Sequence, residues 1–131
     1  MSLPVAILAG GLATRLRPLT ETIPKALVDV AGRPFAVHQV ELLRQQGITD
    51  VVWLVGYRAD QLASALGDGG RWGMRFAYVH DGPVLLGTGG AIHRALPRLG
   101  DAFFVMYGDS YLECEFGAVE RAFRQSERSG L

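Results

Sequence analysis

The 131 residues carry thirteen basic and thirteen acidic side chains, giving a formal charge of zero, and apolar residues make up 49% of the chain. That balance lacks the basic footprint of a nucleic-acid or anionic-membrane binder, and no apolar stretch approaches the ~20 residues of a membrane helix. The single Cys114 has no partner for an internal disulfide and fits a reducing cytoplasm, while the length predicts one domain that buries a core unaided.

In chain order, the apolar run Val5 to Ala9 predicts a first strand, ended by Gly10-Gly11. Ala31-Gly32-Arg33-Pro34 reads as a turn with Pro at a helix start, and Ala36, Val37, Val40 and Leu43 follow at helical spacing until Gly47 stops the helix. Val51 to Val55 predicts a second strand, Asp60 to Leu66 a short helix, and Gly67 to Gly70 a turn. Met74 to Val79 predicts a third strand, Thr88 a helix cap with the helix running to Leu96, and Phe103 to Met106 a fourth strand. Ala118, Val119, Ala122 and Phe123 mark a last amphipathic helix. Strand and helix alternate, the pattern of an α/β fold with a mostly parallel sheet.

The densest chemistry follows the first strand. Two glycines let the backbone turn sharply and bring its N–H groups close to a phosphate chain. Thr14 adds a hydroxyl, Arg15 a forked guanidinium, and Lys25, the only lysine beside twelve arginines, a compact ammonium. Together they suit a triphosphate and the charge that grows on leaving pyrophosphate; the alternative is a surface turn with solvated charges. Asp109 lies just beyond the fourth strand, at the sheet edge where α/β folds bind ligands, and suits either Mg²⁺ on phosphate oxygens or the capping of a turn. Gly87-Thr88-Gly89-Gly90 offers backbone groups to a base edge, or is a glycine-rich helix entry.

Two familiar phosphate motifs are excluded. A Walker A loop needs Lys directly after its second glycine, yet Leu12 follows Gly11 and Lys25 comes fourteen positions on. The dinucleotide fingerprint is absent after the first strand, and its echo at Gly87-Thr88-Gly89 has Ile92 in place of the third glycine. His38, His80 and His93 show no metal-ligand spacing, and no Ser-His-Asp or Cys-His arrangement is readable.

Leu8-Ala9-Gly10-Gly11, Thr14-Arg15-Leu16, Pro18-Leu19-Thr20 and Pro24-Lys25 resemble the signature of sugar-1-phosphate nucleotidyltransferases; Leu86-Gly87-Thr88-Gly89-Gly90-Ala91 and Tyr107-Gly108-Asp109 resemble later motifs of the same family. The resemblance implies a Rossmann-like doubly wound α/β fold, with sheet order 3-2-1-4 for the strands present and the fourth strand as an apolar edge. It further implies that residues 1–131 form a single nucleotide-binding domain, the N-terminal half of a longer catalytic domain, with the open edge available to a second copy. The implied reaction joins a nucleoside triphosphate to a sugar 1-phosphate with Mg²⁺ and releases pyrophosphate. Arg15 and Lys25 are then the catalytic pair, Leu8, Ala9, Gly10, Gly11, Thr14, Gly87 and Thr88 the nucleotide contacts, and Asp109 the metal ligand. The motifs look most like guanylyltransferases acting on mannose or heptose 1-phosphate. Uridylyl transfer to an amino-sugar phosphate and a non-catalytic nucleotide-binding module are the alternatives. Many relatives have Gln or Glu near the base loop, where this chain reads His80-Asp81-Gly82-Pro83.

Overall fold

The computed structural model describes residues 3–10, 23–56, 58–81 and 87–131. Its elements are β1 (Val5–Ala9), β2 (Asp29–Val30), β3 (Arg33–Pro34), α1 (Phe35–Gln45), β4 (Asp50–Val55), α2 (Ala59–Leu66), β5 (Arg75–His80), α3 (Gly87–Leu99), β6 (Phe104–Tyr107) and α4 (Phe116–Ser126). The main sheet has the order β5-β4-β1-β6 with every pair parallel, which is the 3-2-1-4 arrangement of the four predicted strands.

Side-chain alternation along β1 divides the core in two. Val5 and Ile7 face a cluster that holds Ala36, Val40 and Leu43 of α1, Leu62 and Leu66 of α2, and Phe116 of α4. Ala6 and Leu8 face the opposite cluster, with Ala91, Ala95 and Leu99 of α3. A sheet covered on both faces is a doubly wound α/β fold, and it explains why β1 and β4 read as continuous apolar runs instead of alternating ones.

The boundaries shift where pairing outranks composition. The fourth strand lies one residue later than expected, because the Phe104 N–H bonds to the Pro4 carbonyl at 2.9 Å and Phe104 sets its register against Val5. Thr88 is not a cap: α3 already includes Gly87, so Thr88 is its second residue. The helix also passes Pro97 and reaches Leu99, since a proline in the last turn loses only one internal bond and Leu99 is buried on the sheet. The Ala31-Gly32 turn joins β2 to β3 as a two-residue hairpin with both residues at positive φ, 53° and 84°.

The final amphipathic helix forms as expected, over Phe116–Ser126, but its apolar stripe is only partly covered, with Ala118 and Phe123 half-buried. Val119 and Ala122 of its apolar stripe are exposed, and only Phe116 at its first turn is buried. Phe116 meets Phe104 edge-on with centroids 5.2 Å apart, and one turn on Glu120 Oε1 accepts from the Leu3 N–H at 3.1 Å, so α4 is held through its first two turns. β6 is the predicted edge strand, and its Val105 and Tyr107 side chains are 46% and 58% exposed.

Candidate functional site

Three chain segments meet at the carboxyl ends of β1 and β6. Lys25 opens a single 3-10 turn, Lys25–Leu27, directly after Pro24, and Ala26 in that turn is buried against the core. The lysine backbone is therefore fixed while its side chain reaches outward. Asp109 follows β6 across Gly108, whose N–H bonds to the Leu8 carbonyl at 2.8 Å. A Cβ at residue 108 would stand 2.5 Å from that same oxygen, so only glycine lets the end of β6 lie over the end of β1.

Here Lys25 Nζ donates to Asp109 Oδ2 at 2.9 Å. The hydrogen bond from Lys25 holds the Asp109 carboxyl below the usual range; partial desolvation opposes it and the ammonium charge adds to it. A cleft of about 310 Å³ opens beside the pair. Of the residues predicted from sequence, Leu8, Ala9, Gly10, Lys25, Gly87, Thr88 and Asp109 all line it. Gly11, Thr14 and Arg15 lie outside the described residues.

Two residues at the site escaped the sequence reading. Asp81 lines the cleft and is only 7% exposed. Its N–H bonds to the Val55 carbonyl at 2.9 Å, and Arg94 donates to its carbonyl at 2.9 Å. A Cβ on Gly10 would come within 3.3 Å of its Oδ2, so the glycine also makes room for this carboxylate. The signal was present, since Asp81 follows β5 as Asp109 follows β6, at the ligand-binding edge of the sheet. The second is Gln39, fully buried on α1, whose Nε2 donates to the Tyr107 and Ser110 carbonyls at 3.2 and 2.8 Å. A polar residue one helical turn from both Ala36 and Leu43 is its visible trace.

The histidines stand apart from the cleft. His38 Nε2 lies 2.6 Å from the Val30 carbonyl and must donate to it, tying α1 to the β2–β3 hairpin. His80 and His93 are exposed. Among the described residues no group of three His, Cys, Asp or Glu side chains is arranged to hold a metal ion.

A parallel sheet with Gly10, Lys25 and Asp109 at one ligand-binding edge belongs to a chain matched by the family model described as Nucleotidyl transferase, over residues 5–131. The chain belongs to this family. A glucose-1-phosphate thymidylyltransferase of Streptomyces antibioticus is 40% identical over 123 residues, which are 93% of this chain and 34% of that protein. An N-acetylmuramate alpha-1-phosphate uridylyltransferase of Neisseria meningitidis is 42% identical over 114 residues, 86% of this chain and 49% of its own. Among solved structures, HddC from Yersinia pseudotuberculosis complexed with GMP-PN is 32% identical with a TM-score of 0.81, over 92% of this chain and 53% of that one. This nucleotidyl transferase chain thus spans about a third to a half of the length of these relatives. The relatives are sugar-1-phosphate nucleotidyltransferases that differ in base and sugar, with thymidylyl, uridylyl and guanylyl transfer all represented.

Proposed function

We propose that residues 1–131 form the nucleotide-binding part of a cytoplasmic sugar-1-phosphate nucleotidyltransferase. The Lys25–Asp109 pair, beside Gly10 in one cleft, carries this reading. In the free chain the two charges satisfy each other; a triphosphate with its cation supplies a better partner for each. With both bound, Lys25 would face phosphate oxygens and Asp109 would hold the cation. Asp109 is a hard oxygen donor with a side chain 52% exposed, which fits Mg²⁺ brought in by the nucleotide and held by one carboxylate, phosphate oxygens and water. Mg²⁺ bound there would supply charge neutralisation on the phosphates.

The reaction needs no nucleophile from the protein. A phosphate oxygen of the sugar 1-phosphate attacks the α-phosphorus, the bond to the β,γ-pyrophosphate breaks, and its electron pair leaves on pyrophosphate. Lys25 and Arg15 stabilise that growing negative charge. Leu8, Ala9 and Gly10, which line the cleft, would contact the nucleotide together with Gly11 and the Thr14 hydroxyl, and Gly87 and Thr88 would meet the base.

GTP and a mannose- or heptose-type phosphate are the pair we favour. The supporting observations are the GMP-PN complex of HddC and a probable mannose-1-phosphate guanylyltransferase of Oryza sativa at 37% identity. A second reading, UTP with an amino-sugar phosphate, is supported by the 42% identity to the Neisseria uridylyltransferase. Pyrophosphate release, measured for each of five nucleotides against glucose, mannose, heptose and amino-sugar 1-phosphates, decides between them. Release with GTP and a mannose-type phosphate is the expected result. Nucleotide binding without release under any pairing would leave this chain a non-catalytic module by itself, with the open edge of β6 as the place where a second copy or further chain completes the site.

A further inference from the structure

Gln39 sits at a junction that α1's packing does not require. Its neighbours in the buried stripe, Ala36, Val40 and Leu43, are apolar, and its own side chain is completely buried. Both donor bonds of its amide leave the helix and cross to the segment after β6, bonding the Tyr107 carbonyl at 3.2 Å and the Ser110 carbonyl at 2.8 Å. These two carbonyls bracket Gly108 and Asp109. The amide must present nitrogen to them, since a carboxamide oxygen would face two further acceptors. Its Oε1, by contrast, is buried without a hydrogen-bond partner among the described residues.

That imbalance is informative. An unpartnered buried oxygen is unfavourable, and an apolar side chain of the same shape would remove it. What offsets that cost is the pair of donor bonds to the Tyr107 and Ser110 carbonyls, so the glutamine is explained by the turn it holds and not by the apolar packing of α1. The same turn is closed from within by the Ser110 N–H on the Tyr107 carbonyl at 3.2 Å, and tied to β1 by the Gly108 N–H on the Leu8 carbonyl at 2.8 Å. Leu8 holds one end of the turn and Gln39 spans it from below.

We propose that Gln39 is the positioning residue of the Asp109 turn: its buried amide clamps the Tyr107 and Ser110 carbonyls and so aims the carboxylate between Lys25 and the cleft. The functional half of this proposal rests on the reading of Lys25 and Asp109 given above; the clamp itself does not.

Gln39→Met keeps the length and approximate volume of the side chain and removes both donors. In the 131-residue chain, amide hydrogen exchange should quicken at Ser110 by roughly tenfold or more, the scale set by losing two hydrogen bonds. Exchange in β4, at Val52 and Leu54, should stay as in the parent. Unchanged exchange at Ser110, or an equal increase in β4, overturns the clamp. Should the variant not fold, the parent still decides: the Gln39 side-chain amide protons must exchange far more slowly than those of an exposed glutamine, and solvent-like rates reject the proposal.

The second measurement is the Mg²⁺ concentration needed for half of the GTP- or UTP-induced melting shift. Gln39→Met should raise it several-fold in the parent and add nothing in an Asp109→Asn background, because both changes act through one carboxylate. Equal effects in the two backgrounds would show that Gln39 does not act through Asp109. A parent that shows no nucleotide shift counts against the nucleotide reading and leaves hydrogen exchange to judge the clamp.

Discussion

Lys25 and Asp109 stand 84 positions apart in the chain and meet at 2.9 Å. The contact depends on two backbone placements: the Lys25–Leu27 turn seated by Ala26, and the Gly108 crossing over Leu8. Both side chains are well exposed, at 39% and 52%, so the pair adds at most about 1 kcal/mol to stability. Its importance lies in poising two opposite charges beside one cleft.

Asp109→Asn separates those roles. It keeps the shape of the side chain and removes the charge that a magnesium ion needs. The neutral-pH melting temperature should change by no more than a few degrees, while Mg²⁺-dependent nucleotide binding or turnover falls sharply. Equal Mg²⁺ dependence in mutant and parent would reject the metal role.

Acid provides an independent view of the same contact. Lys25 lowers the folded-state pKa of Asp109, so the stabilisation from this pair is present at neutral pH. It should be lost as pH falls from about 4 through the lower folded value. Asp109→Asn should flatten the parent's stability decline in that window; identical acid profiles for the two proteins would show that the pair does not contribute in solution.

Lys25→Ala should spare the fold, because Ala26 rather than the lysine side chain anchors the turn. Turnover in the complete enzyme should fall on the order of 10²-fold, the scale for losing a group that stabilises leaving-group charge. A mutant with normal turnover and a collapsed melting temperature would make Lys25 structural instead.

Gly108→Ala tests the backbone crossing. The new Cβ would stand 2.5 Å from the Leu8 carbonyl and 3.2 Å from the Ala9 Cα, both of them backbone atoms that cannot swing aside. A loss of roughly 1–3 kcal/mol in denaturant unfolding is expected from such overpacking. Parent-like stability would mean that the β1–β6 junction yields easily.

Ligand binding should raise the melting temperature of this chain by mass action. A titration with GTP, UTP, dTTP, CTP and ATP plus Mg²⁺, extended into the millimolar range, should show a shift with at least one nucleotide. Five flat titrations would remove the nucleotide site.

The sequence alone determined the alternation of strands and helices, because burial on both sheet faces demands the apolar runs at Val5 to Ala9 and Val51 to Val55. It also singled out Gly10, Lys25 and Asp109, since glycine turns and isolated charges at strand ends carry local signals that need no neighbours. Only the tertiary structure decided which charges meet. Parallel pairing of β6 with β1 fixes the register that seats Gly108 over Leu8 and turns Asp109 toward Lys25. Gln39 was hidden for the same reason, its partners being backbone carbonyls distant in sequence, whereas Asp81 carried a strand-end signal that only the fold joined to the cleft. The stripe of α4 foretold the helix but not its burial, with Ala118 and Phe123 half-buried and Val119 and Ala122 exposed, because helical periodicity reports that a face is apolar, whereas burial depends on what the rest of the fold brings against it.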